Sequence, residues 1–363
     1  MRKTKVLFDF GWDDEFSVCF KPYDERGLYP ARVVRQLRDL SLLVSEQGER
    51  TGEISGKFRH GAASRRDFPV VGDWVAMEPT GDEAAVIHSI LPRRSAFTRK
   101  VAGEIVEAQV AAANVDTVFL VSGMDGDFNL RRIERYLTTA WNGGAAPVVV
   151  LNKADLMTDV QDVIAAVEDI APGVPVVAVS ALAGDPLAPL APYLIPRKTV
   201  ALLGSSGVGK STLINRLLGE ERFPTAPVSD PEEGRGRHTT TVRELVRLPG
   251  GALLIDTPGM RELQLWADDD ALDRTFEDIE RLAARCRFVD CSHEQEPGCA
   301  VRAALQTGSL DARRLESYLK LRRELQFLAL KKDVRTRRQL EKAAGRRFAA
   351  QLKEIKKHKP RYK

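Results

Sequence analysis

Between Thr199 and Leu218 the chain reads T-V-A-L-L, then G-S-S-G-V-G-K-S, then T-L-I-N-R-L-L. A short apolar run stopped by glycine is the mark of a buried strand, and the apolar residues after the glycines fall at helical spacing. Strand, glycine-rich turn and helix in that order imply a parallel sheet covered by helices on both faces. The turn fits G-x-x-x-x-G-K-S/T, with Gly204, Gly209, Lys210 and Ser211 at the fixed places. Such a turn binds phosphate. Backbone N–H groups from about Ser206 to Lys210 can turn inward around the anion, and the next helix offers it a positive N-terminus. The contacting stretch is expected to run through Gly204, Ser205, Ser206, Gly207, Val208, Gly209, Lys210, Ser211 and Thr212. Lys210 is expected to bridge the β- and γ-phosphates, and Ser211 to ligate Mg²⁺.

A second motif stands in an unusual place. V-V-V-L-N-K-A-D-L at Val148–Leu156 contains N-K-x-D and begins about fifty residues before the phosphate loop. The Asp155 carboxylate can accept two hydrogen bonds, from guanine N1–H and its exocyclic amine; adenine offers neither donor on that edge. Asn152 would support the loop and contact the purine's other edge, and the Lys153 stem would lie over the ring. In the V-S-A-L-A-G stretch, Ser180 and Ala181 form an auxiliary element whose Ala181 N–H is expected at guanine O6. After the phosphate loop comes D-T-P-G, with Asp256 expected to hold Mg²⁺ through water and the Gly259 N–H to sense the γ-phosphate. The order N-K-x-D, S-A, phosphate loop, D-x-x-G is that of a circularly permuted GTPase domain.

Between phosphate loop and D-x-x-G lies P-V-S-D-P-E-E-G-R-G-R-H-T-T-T. It has little to bury and is expected to be ordered by γ-phosphate and Mg²⁺. Thr239, Thr240 and Thr241 are candidates to complete the Mg²⁺ shell, with Thr240 favoured. The residue after D-x-x-G is Met260, which cannot orient water as a glutamine there would. His238 is the nearest candidate in sequence for that work, beside Lys210 and Thr240 as catalytic residues.

The rest of the chain divides by pattern. Residues 1–112 read as mostly β, through A-R-V-V, L-S-L-L-V-S-E, G-K-F-R-H, D-W-V-A-M-E and A-A-V-I-H-S-I. Five or so short strands at that spacing suit an OB-fold barrel, although an SH3-like barrel would look similar. L-P-R-R-S-A-F-T-R-K reads as a loop leaving the barrel, with Arg93, Arg94, Arg99 and Lys100 around Phe97 as candidate RNA contacts. Residues 113–267 read as α/β, 268–330 as helical, and 331–363 as a basic tail. About 14 Lys/Arg against 3 Asp/Glu give that tail roughly +11 of a net +4, so the remainder carries roughly −7. Contact with nucleic acid is the natural use of such an excess. Cys286, Cys291, His293 and Cys299 give C-x₄-C-x-H-x₅-C, a closed set of three thiolates and one imidazole suited to a structural Zn²⁺. Cys19 lies far away and reads as a small core residue. No apolar run reaches membrane-helix length, and the basic N-terminus meets acids before any apolar stretch, so a cytoplasmic location is expected.

Taken together, these motifs resemble the RsgA (YjeQ/EngC) family of small-ribosomal-subunit biogenesis GTPases. The resemblance spans most of the chain. It includes F-P-V-V-G-D-W-V-A-M, N-V-D-T-V-F-L-V, N-K-A-D-L, L-L-G-S-S-G-V-G-K-S-T-L-I-N-R-L, G-R-G-R-H-T-T-T, D-T-P-G-M-R-E-L and C-R-F-V-D-C-S-H-E-Q-E-P-G-C-A-V. It implies a multidomain α/β protein: an N-terminal OB-fold β-barrel, a circularly permuted P-loop GTPase domain and a C-terminal helical zinc-binding domain. It further implies GTP hydrolysis to GDP and phosphate, stimulation by the 30S subunit, 16S rRNA contact and a role in late 30S maturation. A hydrophobic residue at Met260 and a histidine at His238 are also family-like. The first 25 or so residues look like an extension found in part of the family. A monomer is expected. The competing readings are a GTP-gated rRNA-binding assembly factor whose hydrolysis only resets the switch, and a small-molecule kinase; the guanine-reading residues argue against the latter.

Overall fold

The computed structural model describes residues 5–37, 40–100, 108–182, 187–223, 243–256 and 269–329. The chain forms two compact units, the first ending at Arg281 and the second beginning at Leu282. Among the described residues no helix is long and apolar enough to cross a membrane.

The first unit opens with two helices, α1 (Lys5–Asp9) and α2 (Asp14–Asp24). Asp13 caps α2 by accepting the Phe16 N–H at 3.1 Å, an arrangement that stabilises a helix by about 1 kcal/mol. Phe16 and Phe20 on α2 pack with Leu7 of α1 against Trp74. The mostly β reading of this region therefore applies only after residue 28. Next come β1 (Tyr29–Gln36), β2 (Ser41–Ser45), β3 (Gly48–Ile54), α3 (Gly56–Gly61), β4 (Trp74–Thr80) and β5 (Ala84–Ile90). The pairings β1–β2, β2–β3, β3–β5, β5–β4 and β4–β1 close the sheet into a five-stranded barrel. That order, with a helix between the third and fourth strands, is the OB-fold.

Two expected elements differ. G-K-F-R-H is α3 and not a strand: Ser55 accepts the Phe58 N–H at 3.1 Å and caps it. The third barrel strand is instead the hydrophilic G-E-R-T-G-E-I, of which only Gly52 is buried. The stretch from Ala96 is a strand, not a loop. β6 (Ala96–Lys100) pairs antiparallel with β7 (Ala108–Ala113) as a separate two-stranded sheet.

The α/β part comprises β8 (Thr117–Gly123), α4 (Leu130–Gly143), β9 (Ala146–Asn152), α5 (Gln161–Ile170), β10 (Val176–Ala178), β11 (Thr199–Leu203), α6 (Lys210–Leu218), β12 (Arg243–Arg247) and β13 (Leu253–Asp256). The sheet order is β10-β9-β8-β11-β13-β12, parallel except for β12. β8 shows why helices cover both faces: Val118 and Leu120 enter one apolar cluster, Phe119 and Val121 the other. The chain then continues into α7 (Asp269–Thr275) and α8 (Glu277–Ala283). α7 docks on α4 through a Thr138–Thr275 hydroxyl bond of 3.0 Å and the Arg274 guanidinium, 3.5 Å from the Trp141 ring centroid.

Barrel and α/β sheet are one continuous sheet. β1 pairs with β4 over Tyr29–Arg32, and on the same edge its last two residues pair with β12, Arg35 with Glu244 and Gln36 with Arg243. The change of partner falls at a bulge between Val33 and Arg35, where an extra residue bends the strand. Arg32 lies at the centre of the junction and is 2% exposed. Its guanidinium donates to the carbonyls of Phe10 (2.6 Å) and Asn114 (3.3 Å) and to the Thr199 hydroxyl (3.0 Å), with Trp74 at 5.1 Å. Burial pushes its pKa down to about 10, and Asp116 and Asp73 hold it up against that loss.

In the second unit, α9 (Ala300–Gln306) and a helix α10 over 312–329 carry Val301, Tyr318 and Leu321 as buried residues. Arg32→Ala is expected to destabilise the first unit by about 3 kcal/mol, because the buried Asn114 carbonyl and Thr199 hydroxyl and the part-buried Phe10 carbonyl lose their donor, and Arg32→Met by less. Urea denaturation followed by tryptophan fluorescence measures both; an unchanged midpoint for Arg32→Ala would contradict the role given to this side chain.

Candidate nucleotide and metal sites

The parallel strands β8, β9, β10, β11 and β13 end on one edge of the sheet, and the nucleotide motifs sit at those ends. The chain winds outward from β8 through β9 to β10 in one direction and from β11 to β13 in the other. The crevice where the order reverses, between β8 and β11, is where open α/β sheets bind ligands.

The phosphate loop comes directly after β11. Gly204 needs to be glycine because a Cβ would stand 2.3 Å from the Val121 carbonyl oxygen of β8. Gly209 has φ +91°, and a Cβ there would meet Asn152 Nδ2 at 2.2 Å. α6 then starts at Lys210 with no side chain capping its first turn, so its N-terminal N–H groups stay available to an anion. Lys210 Nζ donates to the carbonyls of Gly204 (2.7 Å) and Ser205. The ammonium is thereby held across its own loop. Ser206 and Gly207 at the turn are exposed, Val208 is buried, and Ser211 and Thr212 begin the helix.

The N-K-x-D residues lie beside this loop. Asn152, 2% exposed, donates to the Val208 carbonyl at 2.8 Å and accepts the Ala181 N–H at 3.0 Å. It knits the phosphate loop, the N-K-x-D turn and the S-A element into one body. The Ala181 N–H, expected at guanine O6, is thus given to Asn152 in this structure. Asp155 is exposed and accepts a hydrogen bond from the Ser180 hydroxyl, which aims its carboxylate. Lys153 adopts φ +65° and pairs through Nζ with Asp125 Oδ2 at 2.5 Å. That bond is the largest cause holding the Asp125 carboxyl below its usual range. Asp256 ends β13, where Ala201 pairs with Ile255. His238, Thr239, Thr240, Thr241, Gly259 and Met260 lie outside the described residues, as does the tail from 331.

The candidate metal ligands come together in the second unit. One ligand atom from each of Cys286, Cys291, His293 and Cys299 lies within 4.8 Å of the others. Cys286 Sγ is 3.8 Å from Cys299 Sγ, and His293 Nδ1 is 3.7 and 3.5 Å from those two sulfurs. Tetrahedral Zn²⁺ with ordinary bond lengths would separate S from S by about 3.8 Å and S from N by about 3.6 Å. The donor set and its spacing therefore fit a four-coordinate ion. Local backbone serves the cluster: His293 takes φ +65°, Gly298 takes φ +75°, and the Cys299 sulfur caps α9 by accepting the Arg302 N–H at 3.4 Å. Glu296 ties the loop between Cys291 and Cys299 by accepting from Ser292 N (2.8 Å) and Oγ (2.5 Å). The Ser292 hydroxyl bond, with main-chain N–H bonds, holds its carboxyl at about 2. This tie is thus intact at neutral pH and lost as pH falls from the ordinary glutamate range towards 2.

The candidate RNA contacts separate. Arg93 forms a two-bond pair with Asp73, both at 2.7 Å, and donates to the carbonyls of Arg66 (2.7 Å) and Phe68 (2.9 Å). Asp73 is fully buried, and burial raises its pKa against the pull of Arg93. Arg94 makes two 2.6 Å bonds to Asp13, pairs with Glu15 and lies 3.9 Å over the Phe16 ring. Both guanidiniums are committed to the fold. Phe97 is 1% exposed and packs where a Cβ on Gly143 of α4 would collide at 2.7 Å, so it is a core residue and no stacking platform. Arg99 and Lys100 are placed on β6 by its pairing to Gln109 and Ala108.

Four residues that the motifs do not include also reach the site: Asp125, Asp127, Arg132 and Tyr136. Asp125, Asp127 and Arg132 stand in M-D-G-D-F-N-L-R-R, directly after a buried strand of the same sheet but in no fixed-spacing motif, and Tyr136 lies one helical turn further on.

Known proteins agree with this geometry. A family model described as RsgA GTPase matches residues 90–266. The small ribosomal subunit biogenesis GTPase RsgA of Opitutus terrae is 53% identical over 338 residues, covering 90% of this chain and 92% of that protein. RsgA 2 of Lactiplantibacillus plantarum is 46% identical, covering 93% of this chain and 94% of that protein. Among solved structures, YjeQ from Thermotoga maritima aligns with TM-score 0.61 at 29% identity, over 82% of this chain and 98% of that one. YloQ, described as a circularly permuted GTPase, aligns with TM-score 0.58 at 25% identity, over 82% and 95%. With its N-K-x-D strand ahead of its G-x-x-x-x-G-K-S loop and such relatives along nearly its whole length, this chain belongs to the RsgA GTPase family.

Proposed function

We propose that this protein hydrolyses GTP on the small ribosomal subunit and assists its late maturation, with the subunit stimulating turnover. The observation that carries the nucleotide part is Asn152, whose two polar ends join the phosphate loop to the guanine-reading elements. The ribosomal part is supported by relatives named as small ribosomal subunit biogenesis GTPases at up to 53% identity.

In this reading Asp155, aimed by Ser180, accepts the two guanine donors, with the Lys153 stem along the base. Lys210 and the N–H groups of the phosphate loop hold the β- and γ-phosphates and the charge that grows between them. Mg²⁺, held by Ser211 and Thr240 with Asp256 through water, would neutralise charge on the same oxygens. His238 orients or deprotonates the attacking water, a task Met260 cannot do. Arg99, Lys100, the barrel and the basic tail contact 16S rRNA through phosphate and shape. Arg93 and Arg94 are left out of that surface. The protein acts as a monomer in the cytoplasm, and its four-ligand cluster holds zinc.

GTP turnover with and without purified 30S subunits, with ATP as control, tests the reaction. Subunits are expected to raise GTP turnover, and His238→Ala to lose most of the rise while keeping GTP affinity. No stimulation by 30S would overturn the ribosomal reading; full stimulation of His238→Ala would overturn the role of the histidine. Metal analysis of the purified protein should give about one zinc per chain. Chelation, or Cys291→Ser, should lower the melting temperature of the second unit, because the metal contributes folding energy there. A metal-free protein with unchanged melting would refute the zinc assignment.

A further inference from the structure

The loop after β8 carries two acids with separate duties. Asp125 holds Lys153 of the base-reading motif. Asp127 holds Arg132 of α4 with two bonds, one of them 2.9 Å. Arg132 Nη1 also donates to Ser205 Oγ of the phosphate loop at 2.7 Å, and Tyr136, one turn further along α4, meets the same oxygen at 3.1 Å. Asn129 fixes the start of α4 by accepting the N–H groups of Arg131 (2.9 Å) and Arg132 (3.2 Å). The loop itself begins on the base motif, with Met124 N–H donating to the Asn152 carbonyl at 2.8 Å.

These contacts lie in the crevice between the ends of β8 and β11. Ser205 stands between two cations: Lys210 at its carbonyl and Arg132 at its hydroxyl. A phosphate loop works by the direction of its N–H groups, and a flexible turn would lose part of its binding free energy to ordering. A hydroxyl fixed from outside by a guanidinium and a phenol removes that freedom before the nucleotide arrives.

We propose that Arg132, set by Asp127 and assisted by Tyr136, is a positioning residue for GTP binding and hydrolysis: it pre-orients the phosphate loop through Ser205, and the residue 124–128 loop ties that orientation to the guanine-reading Lys153. The proposal rests on the phosphate-loop assignment of residues 204–211. It places none of these side chains on the reacting atoms. Removing the Arg132–Ser205 bond should therefore weaken GTP and GDP alike and leave the preference for guanine over xanthine intact.

The test is a double-mutant cycle with Ser205→Ala and Arg132→Gln, read by titration of fluorescent GTP and GDP analogues and by the KM-against-kcat split of the full chain. Each single variant should weaken both nucleotides about tenfold, and the double variant no further than the worse single one. Arg132→Lys, which keeps a donor, should recover part of the loss. Melting temperatures are measured alongside, since a merely structural role would lower them and leave nucleotide affinity unmoved. If Arg132→Gln fails to fold, Tyr136→Phe, which removes only the phenol's bond to the Ser205 hydroxyl, takes its place in the cycle with Ser205→Ala. Single-variant affinities within twofold of wild type, or additive losses, would overturn the proposal. Failure of the unaltered protein to bind either analogue would refute the nucleotide site itself, a separate outcome.

Discussion

Strand β1 is shared between two architectures. One edge pairs along β2, and the other pairs first with β4 and then, past the bulge at Val34, with β12. Main-chain hydrogen bonds thus run without interruption from the barrel into the sheet that carries the candidate nucleotide site. Arg32 fixes the same junction from inside, joining the N-terminal extension, the barrel, the linker at Asn114 and the start of β11. On the outer side Glu244 of β12 pairs with Arg35 of β1 and, at 2.8 Å, with Arg222 just past α6. A buried guanidinium is costly unless its donors are met; the two Nη atoms of Arg32 find partners from segments far apart in sequence, while its Nε has none among the described residues. Their arrival together requires the barrel and the sheet to be assembled as one body.

That junction bears on function through β12, the strand that follows the threonine-rich stretch expected to be ordered by γ-phosphate and Mg²⁺. Its first two residues are the ones paired to the barrel. A displacement of β12 would be felt by β1 directly. At the opposite side, α4 touches the phosphate loop at Ser205 and α7 at Thr275 and Arg274. In the permuted order, strand neighbours in the sheet, and not chain order, decide which loops meet. The permutation changes which neighbouring elements those loops lead into.

Much of this was legible in the sequence, for identifiable reasons. G-x-x-x-x-G-K-S, N-K-x-D and C-x₄-C-x-H-x₅-C each demand particular residue types at fixed spacing, so their assembly could be anticipated. The OB-fold barrel was readable from short alternating runs. Its third strand was not: G-E-R-T-G-E-I has almost no apolar pattern, and the more apolar G-K-F-R-H beside it is a capped helix. Arg93, Arg94 and Phe97 looked like a nucleic-acid surface because a basic run around an aromatic reads the same whether its charges face solvent or meet Asp73 and Asp13. Only the fold shows that partner acids stand opposite. Asp125, Asp127 and Arg132 were missed for the complementary reason. Their importance lies in reaching two other loops, and nothing in local spacing announces that.

Under the proposed function, strands out of their usual order rebuild a site that reads guanine through Asp155. Measuring the nucleotide preference of Asp155→Asn tests this most directly. Turnover and binding should move from GTP towards XTP, because xanthine offers an acceptor where guanine offers its exocyclic amine, while melting temperature stays unchanged. An Asp155→Asn protein that still prefers GTP as strongly as the unaltered chain would mean that guanine is read elsewhere, and the assembly described around Asn152 would lose its purpose.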